Sequence, residues 1–239
     1  NALDSITAQA LGDAVVEATR ADIGAVLVAA AGKQFCAGGD IKEFVERRDD
    51  LDRLVQGMLD VLHPAILALA ALPLPVISAV QGPLGGAGIA VALCADIVLA
   101  SDTMKLRGGY SAIGLSPDLG ASYYLARRVG AARAKYVLMT NRAISAEECL
   151  RWGLVDELYS ADERPPAARK LASDLARGAS ASLGGIKRLC DGAHAHELST
   201  HLDLERQALL RCAVSADGHE GVSAFVEKRA PRFTDQRLP

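Results

Sequence analysis

Residues 75–96 read PVISAVQGPLGGAGIAVALCAD, and this stretch decides how the rest of the chain is interpreted. Its short apolar run, Val76–Val80, predicts a strand that ends in a turn with four glycines between positions 82 and 88. The apolar residues 89–94 then predict the start of a buried helix. The first turn of a helix leaves backbone N–H groups unpaired, and Gly86 lets a ligand approach the backbone, so this turn is a candidate anion site. The alternative is a tight turn with good helix packing, which a lone Gly-Gly pair favours.

A second glycine turn lies upstream, FCAGGD at residues 35–40, after an apolar run at residues 25–30. Two such turns that face one pocket can hold a single oxyanion between two N–H donors. A phosphate site is not indicated, because the GxGxxG pattern is incomplete and the Lys and Ser/Thr of a P-loop are missing. The repeated order of strand, turn, helix and strand predicts an α/β fold of stacked ββα units and argues against a doubly wound nucleotide-binding fold.

The composition predicts a protein without nucleic-acid or membrane partners. The 239 residues carry a formal net charge of -3, whereas nucleic-acid binding needs a concentrated basic face. No apolar run approaches the length of a membrane span, and nothing resembles a signal peptide. The five cysteines are odd in number and lack CxxC spacing, which predicts buried thiols in a reducing compartment and a cytoplasmic location.

The chain is long enough for a core with a smaller appendage. We predict a core of stacked ββα units at residues 1–165. After Pro165-Pro166 the sequence predicts a helical region at residues 166–239 that packs on the core and against neighbouring subunits.

Helix boundaries within the core are predicted from apolar spacing and from caps. Helices are expected at residues 41–58 and 59–72, and two packed helices are expected at 121–129 and 132–139, which meet at Gly130. Ser145 begins an S-x-x-E capping box and predicts a further helix start.

Few histidines have a spacing that indicates chemistry. No GxSxG or HExxH pattern occurs, and His194, His196 and His201 are best interpreted as a solvated helix surface rather than a metal site. His63 precedes Pro64 on an apolar segment, where a histidine is more often a satisfied core residue than a catalyst. Lining a pocket is the alternative for His63.

Asp118 is the acid of most interest. It follows a proline in a loop between the apolar residues 113–115 and 119–121. A carboxylate among apolar residues should have a raised pKa, which suits a base that takes and returns a proton. The alternative is an N-cap of the following helix, and local sequence alone favours the cap. Asp40 and Asp96 are predicted to be structural, because each ends an apolar turn or helix where a carboxylate binds backbone N–H groups.

Four segments together resemble the crotonase superfamily, the enoyl-CoA hydratases and isomerases. They are FCAGGDIKEF at residues 35–44, PVISAVQGPLGGAGIAVALCADIVLAS at 75–101, VLMTNRAISAEECLRWGLVDE at 137–157 and DGHEGVSAFVEKRAPRF at 217–233. The opening NAL is similar to the family's NAL, which normally follows a first strand and hairpin. The resemblance implies a ClpP/crotonase-like spiral fold and an acyl-CoA substrate, with no metal or separate cofactor. It also implies a homotrimer or hexamer built through the helical region.

The resemblance further implies roles for single residues. The backbone N–H groups of Gly39 and Ala87 would form an oxyanion hole that stabilises an enolate of the thioester. Ala87 stands where many relatives have glycine, but a backbone donor tolerates the exchange. Positions similar to those that contact CoA are Cys36, Ala37, Phe225 and Lys228, the last two often from a neighbouring subunit.

Departures from the family pattern bear on the reaction. Hydratases that resemble this chain carry glutamates at the positions that here are Ala90 and Tyr110, so ordinary hydration is disfavoured. Asp118 aligns with the acid of family members that shift double bonds, and one carboxylate suffices for a 1,3-proton shift. The segments YSAIGLSPDLGAS and STHLDLERQALLRCAVSADGHEGVSAFVEKR most resemble the 1,2-epoxyphenylacetyl-CoA isomerase branch.

We therefore expect an acyl-CoA isomerase with Asp118 as the proton shuttle. One alternative is a hydrolase similar to 4-chlorobenzoyl-CoA dehalogenase, with Asp118 as nucleophile and His63 as the base for water. A hydratase with water positioned by Asp118 alone and a CoA-binding protein without turnover are the others. Tyr110 lies close to where the dehalogenases have a tryptophan, so an aromatic acyl group beside it is compatible with the resemblance.

Overall fold

The structure is a computed structural model that describes residues 1–234. Its helices are α1 Ser5–Arg20, α2 Ile41–Glu46, α3 Leu51–Ala71, α4 Ala87–Leu93, α5 Ala121–Thr140, α6 Ala146–Trp152, α7 Arg164–Ala176, α8 Ser180–Gly192, α9 Leu198–Ala213 and α10 Ala216–Glu227. Its strands are β1 Val26–Ala29, β2 Val76–Val80, β3 Pro83–Gly85, β4 Ile97–Ser101, β5 Lys105–Arg107, β6 Ile144–Ser145 and β7 Glu157–Tyr159. Short 3-10 turns lie at Arg48–Asp50 and Tyr110–Ile113.

The described chain separates into two compact units. The first comprises Asn1–Ala21, Leu27–Ala71 and Val76–Arg169, and the second comprises Asp22–Val26, Leu72–Pro75 and the chain from Lys170 on. The division predicted after residue 165 falls inside α7. The roles given to the two predicted parts stay predictions.

The first unit repeats one pattern: a strand of a larger sheet, a strand of a smaller sheet, and a helix. The pattern occurs as β2–β3–α4 and as β4–β5–α5, with sheet orders β1-β2-β4-β7 and β3-β5-β6. The pairs β2–β4, β4–β7 and β3–β5 are parallel. Every residue of β2 and of α4 is buried, as expected for an apolar strand covered on both faces. The predicted stacking of ββα units is therefore confirmed.

Helix α3 is longer than the sequence pattern predicted. The expected boundary between residues 58 and 59 is wrong, because α2 ends at Glu46 and α3 runs without a break through Pro64. A proline inside a helix costs about 3 kcal/mol. The buried face of α3 offsets that cost, and it consists of Leu54, Met58, Leu62, Ala65, Ile66 and Leu69.

The same helix bears on the membrane prediction. The segment Arg48–Ala71 is long and apolar enough to cross a membrane by length and composition, contrary to the expectation that no run approaches that length. A third of its most apolar window, 33%, is buried, and α3 packs closely on α1. A β-carbon on Gly12 of α1 would lie 2.6 Å from the Val61 side chain. Since core helices pass the same test, this helix is weak evidence for a membrane segment.

The second unit is helical. Lys187 of α8 donates to the Leu74 carbonyl at 3.4 Å, and a β-carbon on Gly184 would lie 2.5 Å from the Pro73 carbonyl oxygen. The tail folds back on α10, because Glu220 accepts hydrogen bonds from the Arg229 guanidinium and from the Arg232 N–H. Helices α8, α9 and α10 belong to this unit.

Local predictions elsewhere have mixed outcomes. The Ser145 capping box is present, and Gly130 has non-helical angles (φ 77°, ψ 155°) inside α5, so both predictions are confirmed. Asp40 caps α2, and Asp96 accepts from the Val76 N–H at 2.8 Å, as structural carboxylates should.

The prediction of buried thiols is wrong for two cysteines: Cys190 is exposed and Cys212 is half-buried.

Candidate active site

The two glycine turns predicted from the sequence pack directly against each other. Gly38 and Gly86 have φ of 93° and 52°, a backbone conformation that L side chains rarely adopt. A β-carbon on Gly38 would lie 3.1 Å from the Gly86 α-carbon and 3.3 Å from the Ala87 nitrogen. The Gly85 N–H donates to the Cys36 carbonyl at 3.0 Å and ties the turns together. This close approach of two backbones is what the glycines permit.

The N–H groups of Gly39 and Ala87 are available at this junction. Ala87 is the first residue of α4, so its N–H has no acceptor within the helix. Across residues 1–234, neither N–H donates to another backbone carbonyl. Both residues line one cavity. Two unpaired donors that share a cavity can bind an oxyanion.

The cavity has a volume of about 750 Å³ and lies within the first unit. That volume is typical of small-molecule sites. Two cations from β5, Lys105 and Arg107, contribute to the wall. Most of the remaining wall is apolar and includes Ile41 and Phe44 of α2, Val55, Met58, Leu59 and Leu62 of α3, and Ile113, Leu115 and Pro117 of the loop before α5.

A buried tyrosine and Asp118 form a pair at the cavity wall. The Tyr110 hydroxyl donates to Asp118 Oδ1 at 2.5 Å, and Tyr110 is 7% exposed. Burial and the nearby carboxylate raise the pKa of Tyr110, so its hydroxyl stays protonated and acts as a donor. Burial raises the pKa of Asp118, and the hydrogen bond from Tyr110 opposes that rise only in part. Asp118 is thus a more basic carboxylate than one in water, with one oxygen held.

The loop that carries Asp118 has an unusual backbone. Leu119 is buried and has φ of 49°, a left-handed conformation that is uncommon outside glycine. Such strain persists where the surroundings enforce it, and it clusters at functional sites. The N-cap interpretation of Asp118 is wrong, because Gly120 is the N-cap of α5 and makes no side-chain cap. The Asp118 side chain is therefore free to face Tyr110 and the cavity.

Comparison with known proteins identifies this architecture. The family model described as "Enoyl-CoA hydratase/isomerase" matches residues 1–236. The chain belongs to this family. It is an enzyme family that acts on acyl-CoA thioesters, and the crotonase resemblance is confirmed.

Relatives of the enoyl-CoA hydratase/isomerase family cover nearly the whole chain. The chain is 37% identical to 1,2-epoxyphenylacetyl-CoA isomerase of Escherichia coli over 233 residues, 97% of this chain and 88% of the relative. It is 32% identical to trans-2-decenoyl-[acyl-carrier-protein] isomerase of Streptococcus mutans over 211 residues, 87% of this chain and 80% of the relative. The crystal structure of an enoyl-CoA hydratase from Polaromonas sp. JS666 superposes with a TM-score of 0.91 at 34% identity and covers 98% of this chain and 91% of that one. The crotonase fold is confirmed, and the relatives include both isomerases and hydratases.

The cavity of this family member brings together only some of the residues selected from the sequence. Those that line it are Ala37, Gly39, Gly86, Ala87, Tyr110 and Asp118. Cys36 is 7% exposed and is not among the lining residues, and burial raises the pKa of its thiol. His63 is exposed on α3 and is not among the lining residues. Phe225 and Lys228 are exposed in the second unit.

Sequence reasoning missed the donor role of Tyr110. The sequence indicates Tyr110 as a replaced hydratase glutamate and as an aromatic neighbour of the acyl group, but not as a donor, because the hydrogen bond to Asp118 joins positions eight residues apart across an irregular loop. The wall formed by α3 was also missed, since the pattern divided that helix at residue 58. The only signal in the sequence was the pair of glycines before Tyr110, which indicates a turn without indicating its direction.

Proposed function

We propose that the protein moves a carbon–carbon double bond within an acyl-CoA thioester, with Asp118 as a single proton shuttle. One observation carries the proposal: Asp118 is the only carboxylate among the described residues that line the cavity. A 1,3-proton shift needs one base that returns the proton it removes, whereas hydration also needs a group to activate water.

The proposed reaction begins with a 3-enoyl-CoA. Asp118 Oδ2 removes a proton from the carbon next to the thioester carbonyl, and the electron pair moves onto the carbonyl oxygen as an enolate. The N–H groups of Gly39 and Ala87 hold that oxygen. The electron pair then returns through the chain, Asp118 gives the same proton to the fourth carbon, and a 2-enoyl-CoA results. Atoms and charge balance without a metal or redox cofactor.

The surroundings of Asp118 suit this role. Because burial raises its pKa, the carboxylate is a stronger base, and its protonated form is stable enough to hold the proton between the two transfers. Tyr110 binds Oδ1 and leaves Oδ2 for the substrate. The apolar side chains that α2 and α3 contribute to the wall offer water few hydrogen-bond partners, and water would otherwise compete for the proton.

Two alternatives have less support. Hydration lacks its second acid, because Ala90 is fully buried and carries no ionisable group, while Tyr110 is committed to Asp118. A dehalogenase-like hydrolysis needs a base that activates water, and His63 lies outside the lining residues of the cavity. The names of the relatives keep both reaction types open at the family level.

We further propose self-association through the second unit, into a trimer or a pair of trimers. Helices α9 and α10 and the turn between them expose apolar side chains, among them Leu209 at 70%, Val214 at 78% and Phe225 at 86%. Phe225 and Lys228 would then approach the CoA of a neighbouring subunit. Sedimentation of the full chain tests the assembly independently of activity.

The test of the reaction uses a 3-enoyl-CoA and the ultraviolet absorbance of the conjugated product, with wild type beside Asp118→Asn. Asparagine keeps the acceptor for Tyr110 but cannot take a proton. We expect a rise with wild type and a rate at least about 10³-fold lower with the variant, while acyl-CoA binding persists. Equal rates, or wild-type protein that forms only hydroxyacyl-CoA from a 2-enoyl-CoA, would refute the proposal.

A further inference from the structure

Asn141 makes a long-range hydrogen bond toward the site although it does not line the cavity. It is the C-cap residue of α5 and adopts the left-handed conformation, with φ of 51° and ψ of 26°. Its Oδ1 accepts the Gly109 N–H at 2.7 Å, across 32 residues of sequence. Gly109 immediately precedes Tyr110. Neither the family comparison nor the proposed chemistry assigns Asn141 a role.

The segment that Asn141 holds also touches the oxyanion turn. The Gly108 carbonyl accepts the Gly86 N–H at 3.0 Å, and Gly86 precedes the proposed donor Ala87. A β-carbon on Gly109 would lie 3.4 Å from the Gly86 nitrogen. Residues 108–109 therefore contact Gly86 on one side and lead into Tyr110 on the other.

The end of α5 also restricts residues 108–109. A β-carbon on Gly108 would lie 3.2 Å from the Leu138 α-carbon, and the Ser111 hydroxyl donates to the Leu138 carbonyl at 2.9 Å. The end of α5 thus fixes the segment both before and after Tyr110. A shift of the Gly109 N–H would have to be absorbed by Tyr110 or by the turn at Gly86.

We propose that Asn141 is a positioning residue that sets the Tyr110–Asp118 pair in register with the Gly86–Ala87 turn. Its amide oxygen satisfies a partly buried N–H that would otherwise lack an acceptor, and a partly buried N–H without one drives the backbone to rearrange. Rearrangement at Gly109 lengthens the hydrogen bond from Tyr110 to Asp118 and moves Gly86 through Gly108. The inference rests on the proposed function in that Asp118 and the Ala87 N–H act on the substrate.

The conformation of Asn141 allows a clean substitution. Glycine adopts left-handed angles readily, so Asn141→Gly keeps the helix end and removes the side-chain acceptor alone. Asn141→Asp restores an acceptor oxygen. The matched control is Thr140→Ala, which removes the hydrogen bonds of the Thr140 hydroxyl with the Tyr136 carbonyl and the Arg142 N–H at the same helix end. The control leaves residues 108–110 untouched.

The kinetic experiment compares kcat, KM and the pH profile of kcat/KM for the four proteins. We expect Asn141→Gly to lower kcat about tenfold or more with KM within about twofold, because misplaced groups weaken the transition state more than binding. The acidic limb of the pH profile, where activity falls as Asp118 becomes protonated, should move to higher pH in Asn141→Gly. The reason is that a weaker hydrogen bond from Tyr110 lowers the pKa of Asp118 less than in wild type. Asn141→Asp should recover kcat, and Thr140→Ala should match wild type.

A double variant identifies the route of the effect. In the Tyr110→Phe background, Asn141→Gly should leave the acidic limb where Tyr110→Phe alone puts it. If wild type and Asn141→Gly have the same kcat and the same position of the acidic limb, the inference is overturned. An equal loss in Thr140→Ala would do the same, because it would indicate a general effect of the helix end.

A measurement without turnover separates this inference from the proposed function. The ¹³C chemical shift of the Asp118 carboxyl group, followed across pH, reports its pKa directly. A higher pKa in Asn141→Gly than in wild type and Thr140→Ala supports the inference even if no 3-enoyl-CoA is isomerised. Unchanged titration together with normal isomerase activity would leave the proposed function intact and refute the role of Asn141.

Discussion

Asp118 in the first unit and Glu220 in the second are carboxylates that each accept a strong hydrogen bond, yet their pKa values move in opposite directions. Asp118 is partly buried and its bonded donor is a neutral tyrosine, so the loss of hydration dominates and the pKa rises. Glu220 accepts two hydrogen bonds from the Arg229 guanidinium, at 2.6 and 2.8 Å, and its pKa falls to about 2. Burial beside a neutral donor raises the pKa of a carboxylate and so favours proton uptake, whereas an adjacent cation at an exposed site lowers the pKa and disfavours it.

The difference also separates function from stability. The charged form of Asp118 is disfavoured by its surroundings, which is a cost that an active site bears. Glu220 is most favourable when charged, and it joins the body of α10 to residues 229–232. The comparison therefore predicts that substitutions at the first site change activity and substitutions at the second change the stability of the tail.

After the loss of isomerisation expected for Asp118→Asn, the largest effect should come from Tyr110→Phe, which removes the neutral donor and keeps the ring. We expect kcat/KM to fall about 10- to 100-fold, because Asp118 loses the bond that orients it. The acidic limb of the profile should shift to higher pH, since the hydrogen bond that lowers the pKa of Asp118 is gone. Steady-state assays across pH measure both. A limb that moves to lower pH would contradict the account of Asp118 as a carboxylate governed by burial.

A smaller effect is expected in the stability of Asp118→Asn. The folded pKa of Asp118 lies above its unfolded value near 3.8, so the folded protein binds this proton more tightly and wild type loses stability as pH rises through that window. Asparagine removes the loss, and we expect Tm at neutral pH to rise by about 2–4 °C. Thermal unfolding of both proteins at acidic and neutral pH tests this. A difference that grows toward acidic pH instead would reverse the sign.

The smallest effect should follow Glu220→Gln. Its folded pKa lies below the unfolded value of 4.5, so its contribution is present above that pH and lost as pH falls toward 2. Because exposed ion pairs contribute little to stability, we expect Tm to fall by about 1–3 °C. This fall should be smaller at high salt, and activity should be unchanged. Asp203→Asn, which removes the exposed pair with Arg206 on α9, is the matched control. If Tm falls as much as it does for a core substitution, the contact between Glu220 and residues 229–232 stabilises more of the protein than the tail alone.

Predictions from the sequence succeeded where neighbouring residues decide the structure. Backbone angles that only particular residue types allow explain the glycine turns, the Ser145 cap and the break at Gly130. Those residue types can be identified directly in the sequence. The predicted end of α2 and length of α3 are wrong, because the buried face of α3 runs from Leu54 through Met58 to Leu62 and so continues across the predicted boundary. The N-cap that local sequence alone favours for Asp118 is not formed, since local preference cannot weigh a cap against the partner that Tyr110 supplies.

The sequence by itself determined the family, the ββα repeat, the two glycine turns and the identity of the single acid worth testing. Each of these follows from short segments whose residue types restrict the backbone within a few positions. Tertiary structure decided that the turns meet at Gly38 and Gly86, that Tyr110 is the donor to Asp118, and that Asn141 holds Gly109. Those contacts depend on how a loop and two helix ends pack together, and packing is a property of the whole folded unit that no local pattern carries.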